Sequence, residues 1–159
     1  VQGSLTLGVY DDSRFATNNV TFQMYEDVAR RFILNLAAIN IPGSNTSILS
    51  ASIPVYIDST IPYLYLPLDI CNSFEETFDL VWNSTDELYF FNNPSSAGAN
   101  LTFTLSNNAG DTVNIFLPFD TLNLTASAPL LDYSRQYLPL KRAANNTQYT
   151  LGRTFLQEA

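Results

Sequence analysis

Apolar and polar residues alternate along most of this chain, and that period of two predicts strands. In residues 3–10, GSLTLGVY, Leu5 and Leu7 share one face and Ser4 and Thr6 the other, and Asp11-Asp12-Ser13 follows as a turn. Residues 19–24 alternate again. Residues 25–41 carry two signals. EDVARRFILNLAA has helix propensity, yet Phe32, Leu34 and Leu36 alternate with Arg31, Ile33 and Asn35, and Pro42-Gly43 stops the run. The alternation favours a strand over 31–41, followed by a polar loop over 42–47. Further strands are predicted at 52–59, 64–66, 87–91, 101–105, 112–117, 137–140 and 148–151, with NNAGD at 107–111 turning 101–105 and 112–117 into a hairpin. One helix is predicted, over 68–81. Cys71, Phe74, Phe78 and Val81 recur at helical spacing, Pro67 marks the entry, and Asn83-Ser84-Thr85 the exit. Glu75, Glu76 and Asp79 fall on its other side and read as a solvated face rather than a metal patch. The pattern as a whole predicts an all-β fold class, β-rich with one or two short helices.

Composition narrows the function. The 159 residues, 46% hydrophobic and 14% charged, fit one domain with a real core. Eleven Phe, nine Tyr and one Trp are too many aromatics for a disordered chain. No apolar run approaches the roughly 18 residues of a membrane-spanning helix. The amino end, VQGSLTLG, lacks a basic, apolar leader and is expected to lie inside a longer chain. Seven Lys and Arg stand against fifteen Asp and Glu, a net charge of −8, and Lys141 is the sole lysine. Such a chain lacks the basic face that replaces phosphate counterions, so nucleic acid is excluded as a partner. The pI near 4.1 suits a mildly acidic exterior.

The absence of His excludes a Ser-His-Asp or Cys-His mechanism within the chain and most zinc sites. A single Cys, Cys71, excludes an internal disulfide and reads as a small buried hydrophobe. Chemistry here falls to carboxylates, hydroxyls or backbone groups, and no metal or cofactor is implied. Six N-x-[ST] sequons start at Asn19, Asn45, Asn83, Asn100, Asn123 and Asn145, where composition alone gives about three. They predict a secreted or cell-surface glycoprotein.

The sharpest local feature is VYIDSTIPYLYLP at 55–67. An apolar strand runs into Asp58, with Ser59 and Thr60 beside it, and a second apolar strand ends at Pro67. An acid at a strand tip, flanked by hydroxyls, is a carboxylate held in place. An Asp-Ser-Thr turn between strands is the plain alternative. Tyr63, Tyr65, Tyr89, Phe90 and Phe91 offer a peptide or carbohydrate groove, although core packing suits at least half of them better.

The segment resembles the second active-site loop of pepsin-like aspartic peptidases, an apolar strand, D-[ST]-G-[TS], an apolar strand and a Pro. Four further stretches resemble that family in order: GSLTLGVYDDSRF, FILNLAAINI, the pair LTFTL and VNIFLPF, and YTLGRTFLQEA. The resemblance covers essentially the whole chain and implies one carboxy-terminal lobe over 1–159, of fungal type and truncated at both ends. It implies Asp58, Ser59 and Thr60 as the catalytic segment and a missing amino-terminal lobe as partner, supplying the other Asp and the flap. It also shows departures. Thr60 stands in the Gly position, where a side chain would crowd water and substrate. Ile61 replaces the next hydroxyl, Pro62 comes after it, and Arg153 replaces the usual Asp after Gly152. The cysteine with which the family often pairs a Cys at the helix start is missing, and Asn92 and Asn93 stand where it is expected. The resemblance therefore implies a non-catalytic homologue binding extended peptides in a two-lobed cleft. Its alternatives are a working endopeptidase once joined to the other lobe, and a stand-alone lobe that pairs as a homodimer through two copies of Asp58.

Overall fold

A computed structural model describes residues 18–24, 26, 28, 32–41, 44, 46–93 and 100–159. The strand and turn expected over 3–13, and Asn45, lie outside them. The strand expected over 19–24 does not form: residues 18–24 pair with no strand among the described residues. Phe22 alone anchors the segment against the core, and Asn107 Nδ2 donates to the Thr21 carbonyl at 3.1 Å.

In chain order the elements are β1 (Ile33–Asn40), β2 (Ile53–Ile57), β3 (Leu64–Leu66), α1 (Leu68–Phe78), β4 (Leu80–Asn83), β5 (Leu88–Phe91), β6 (Leu101–Ser106) and β7 (Thr112–Leu117). The chain continues through α2 (Phe119–Leu122), β8 (Leu124–Ala126), β9 (Arg135–Leu138), β10 (Leu140–Arg142), β11 (Thr150–Leu151) and α3 (Arg153–Leu156). A seven-stranded sheet has the order β10-β3-β11-β2-β1-β6-β7, and a four-stranded sheet the order β4-β5-β9-β8. The β-rich fold is the one the alternation predicts.

Strand β1 settles the doubtful stretch in favour of alternation. Its buried residues are Leu36 and Ile39, three apart, because the register against β6 slips between Leu36 and Ala38. The β6–β7 hairpin turns through Asn107, whose Oδ1 accepts from the N–H groups of Ala109 and Asp111. In β5 both faces are buried. Tyr89 and Phe91 enter the main core, while Leu88 and Phe90 join Ala126 and Leu131 in a second cluster. The Arg135 guanidinium covers the Phe90 ring at 4.3 Å.

Helix α1 ends three residues before the expected boundary. Asp79 turns left-handed (φ 50°), and the Asn92 N–H and Nδ2 bond its carbonyl and carboxylate at 3.0 and 2.9 Å. That anchor folds residues 80–83 back against β5, so Val81 is an exposed strand residue and not part of the helix face. Glu75 is also corrected. It is no solvated acid: its Oε1 accepts from Arg142 Nη2 at 2.9 Å and from the Tyr89 hydroxyl at 2.8 Å. Arg142 Nε donates to that hydroxyl at 2.7 Å, and its guanidinium lies 4.6 Å from the Trp82 ring and 5.5 Å from the Tyr89 ring.

Cys71 is buried under this cluster with its Sγ on the carbonyls of Leu66 and Lys141 (3.6 and 3.7 Å), and burial pushes the thiol up to about 12. The Tyr89 hydroxyl and the Arg142 charge oppose that rise. Cys71 is a free, buried cysteine.

Candidate active site

The β2–β3 connection is built around a strand that arrives from the far end of the chain. Strand β11 inserts between β2 and β3, parallel to the first and antiparallel to the second. The insertion pairs Leu151 with both Ile57 and Leu64, so residues 58–63 have to arch over the residue that leaves β11, Gly152. A Cβ on Gly152 would stand 2.3 Å from the Ile61 carbonyl oxygen and 2.4 Å from that of Tyr63, so only glycine fits under the arch.

The arch is fastened at four points. The Asp58 N–H donates to the Leu151 carbonyl (3.2 Å), the Arg153 N–H to Ile61 (2.8 Å), and the Thr154 N–H and Oγ1 to Pro62 (3.3 and 2.7 Å). Pro62 loses nothing by lacking an N–H, since it serves as an acceptor here. Thr154, buried with its hydroxyl satisfied, is a site residue that sequence reading missed. Arg153 itself is exposed and contributes only its backbone.

Asp58 stands half-exposed where β2 leaves the sheet. The Thr60 hydroxyl and N–H donate to its Oδ1 at 2.7 and 2.8 Å. The hydroxyl first, and the N–H second, hold the carboxyl below its ordinary value, against a slight opposing effect of burial. Thr60 thus supplies from its own position the hydroxyl that Ile61 cannot. Oδ2 and the exposed Ser59 hydroxyl make no hydrogen bond among the described residues.

Two open pockets flank the carboxylate. One, of about 450 Å³, is lined by Val28, Phe32, Tyr56, Ile57, Asp58, Ser59 and Leu156. The other, of about 390 Å³, is lined by Tyr56, Asp58, Ile61, Tyr65, Thr147, Gln148 and Thr150. Of the aromatic candidates, Tyr65 alone lines a pocket beside Asp58, and Tyr89, Phe90 and Phe91 are core. The Lys141 ammonium stands 4.9 Å from the half-buried Tyr63 ring. The 145–148 turn escaped sequence reading, because only the insertion of β11 brings it beside Asp58. Among the described residues no group of three or more Asp, Glu, Cys or His is placed to hold a metal ion, Glu75 and Asp79 included.

Comparison with known proteins agrees with this geometry. The family model described as eukaryotic aspartyl protease matches residues 1–159. No curated protein matches the chain. The crystal structure of aspartic proteinase from Irpex lacteus is similar in fold, with a TM-score of 0.66 and 19% sequence identity over 94% of this chain. This chain spans 45% of that protein's length. The arch over Gly152, with an aspartate at its start, thus lies in a chain that belongs to the eukaryotic aspartyl protease family.

Proposed function

We propose that the chain is the carboxy-terminal lobe of a two-lobed, secretory-pathway member of this family, which binds an extended peptide at Asp58 without cutting it. The observation that carries this reading is Thr60. Aspartic-peptidase chemistry needs two facing carboxylates that share a proton: one activates water, and the other donates to the scissile carbonyl. Here the Thr60 side chain occupies the Gly position and, with its N–H, fills the acceptor directions of Asp58 Oδ1. The same bonds favour the ionised carboxylate and oppose a shared proton. Oδ2 remains to accept from a peptide N–H, between pockets lined by Tyr56, Ile61 and Tyr65 on one side and Phe32 and Leu156 on the other.

The partner in this reading is the amino-terminal lobe. Phe32 is 58% exposed and Val28 72% exposed beside Asp58, and an apposed lobe would cover them. Asn19, Asn100 and Asn145 are exposed as glycan carriers should be, and Asn83 and Asn123 are half-buried. Calorimetry on the full-length, two-lobed protein tests the proposal: unstructured peptides bind at mildly acidic pH, and Asp58→Ala weakens them. Peptide affinity that ignores Asp58→Ala, or no peptide binding at all, refutes it. The intact fastening of the arch favours a second reading, a working acid endopeptidase, whose signature is hydrolysis lost in Asp58→Asn.

A further inference from the structure

Asn145 is set apart from the other described sequons by what its turn touches. Its Oδ1 accepts from the Thr147 N–H (2.9 Å) and hydroxyl (2.6 Å), the Gln148 N–H donates to its carbonyl (3.1 Å), and Gln148 Oε1 accepts from the Ala144 N–H (2.8 Å). These four bonds make a rigid turn. Asn145 is exposed on it, and its Nδ2 has no partner among the described residues. Thr147 and Gln148, two and three residues on, are exposed residues that line the 390 Å³ pocket with Asp58. At 3.8 Å per residue, Asn145 is within about 8 Å of Thr147. By contrast, Asn83 is half-buried with its Oδ1 in a turn, Asn123 is half-buried with an unpartnered buried Oδ1, and neither they nor Asn19 and Asn100 stand in a sequon that lines a pocket with Asp58.

We infer that Asn145 carries an N-linked glycan that stands at the rim of the Asp58 pocket and screens it from bulky ligands while leaving it open to an extended chain. The inference rests on the secretory reading above. In the transfer, Asn145 Nδ2 loses a proton and bonds the anomeric carbon of a lipid-pyrophosphate-linked oligosaccharide, whose bond to the pyrophosphate oxygen breaks as the lipid pyrophosphate leaves. The rigid turn fixes the root of the glycan, so its bulk stays beside the pocket instead of sweeping freely over the surface.

The test uses full-length protein secreted from a eukaryotic host. Peptide mapping after enzymatic deglycosylation in heavy-oxygen water reads occupancy at each sequon, and Asn145 should be occupied. Access is read at Ile61→Cys on the pocket wall, which leaves the Ile61 carbonyl bond to Arg153 in place. A polymer-linked maleimide should label it several-fold faster in Asn145→Asp than in the glycosylated protein, with equal labelling by a small maleimide. Aspartate keeps the acceptor for Thr147, so the turn survives the substitution. An unoccupied Asn145 in a protein glycosylated elsewhere overturns this inference alone. No occupied sequon overturns the secretory reading with it. Occupancy with unchanged polymer labelling overturns the screening role.

Discussion

Gly152→Ala isolates the frame that holds Asp58. Gly152 has φ −89°, which alanine adopts freely, so the whole effect is steric. The new Cβ would stand 2.3 and 2.4 Å from two backbone oxygens of the arch, and ordinary contact begins at 3.4 Å. The arch must therefore retreat by roughly an ångström. Forcing a carbon into such a site costs about 1–3 kcal/mol. The retreat also weakens the bonds from the Arg153 N–H to Ile61 and from the Thr154 N–H and hydroxyl to Pro62, each worth ~1 kcal/mol. Together the loss is about 3–5 kcal/mol. At ~2–4 °C per kcal/mol the thermal midpoint should fall by roughly 6–20 °C. Thermal unfolding of the full-length protein by circular dichroism reads the midpoint, and hydrogen exchange reads the Arg153 and Thr154 amides, which should lose protection. A variant melting within ~2 °C of the parent, with both amides still protected, would refute the close approach of the loops.

Other expectations rest on the same contacts. Arg142→Met removes two charge-assisted bonds and two ring contacts from a cluster about a third exposed, so solvent screening limits the loss to ~1–3 kcal/mol; denaturant unfolding should show it, and an unchanged midpoint would dismiss the cluster as a brace. Cys71, with its thiol pushed up to about 12, should resist disulfide reagents at pH 8 until the lobe unfolds; prompt native labelling at that residue would contradict its burial. Thr60→Val removes the leading cause of the lowered Asp58 pKa, which should rise when followed by carboxyl NMR. A carboxyl held below its unfolded value stabilises the fold above that value, and the contribution disappears as pH falls through the folded one. The variant should accordingly lose part of its stability advantage above about pH 4 relative to lower pH, and an unmoved Asp58 titration would remove Thr60 as the cause.

The features legible in the sequence were local ones. The alternation at 101–105 and 112–117 yields a hairpin because Asn107 closes the NNAGD turn with bonds to Ala109 and Asp111, and the run at 64–66 is a strand at its expected bounds. At 19–24 alternation misled, because a strand also needs a partner and Phe22 alone found one surface to pack on. At 79–83 helical spacing continued past the helix because Val81 keeps the period while Asp79 breaks the backbone. Asp58 was visible from its neighbours in the chain. Thr154 and the 145–148 turn were not, since they reach it only through the insertion of β11, a contact across some 90 residues that no local period encodes. The crowding expected of Thr60 took a form the sequence could not give: its hydroxyl turns onto Asp58 as a donor.

Hydrolysis of an unstructured peptide by the full two-lobed protein, followed by mass spectrometry across mildly acidic pH, tests the central claim most directly. A peptide-binding, non-cutting site predicts a rate no different from that of Asp58→Asn. Cleavage that depends on Asp58, and that an aspartic-peptidase transition-state analogue blocks, would contradict it.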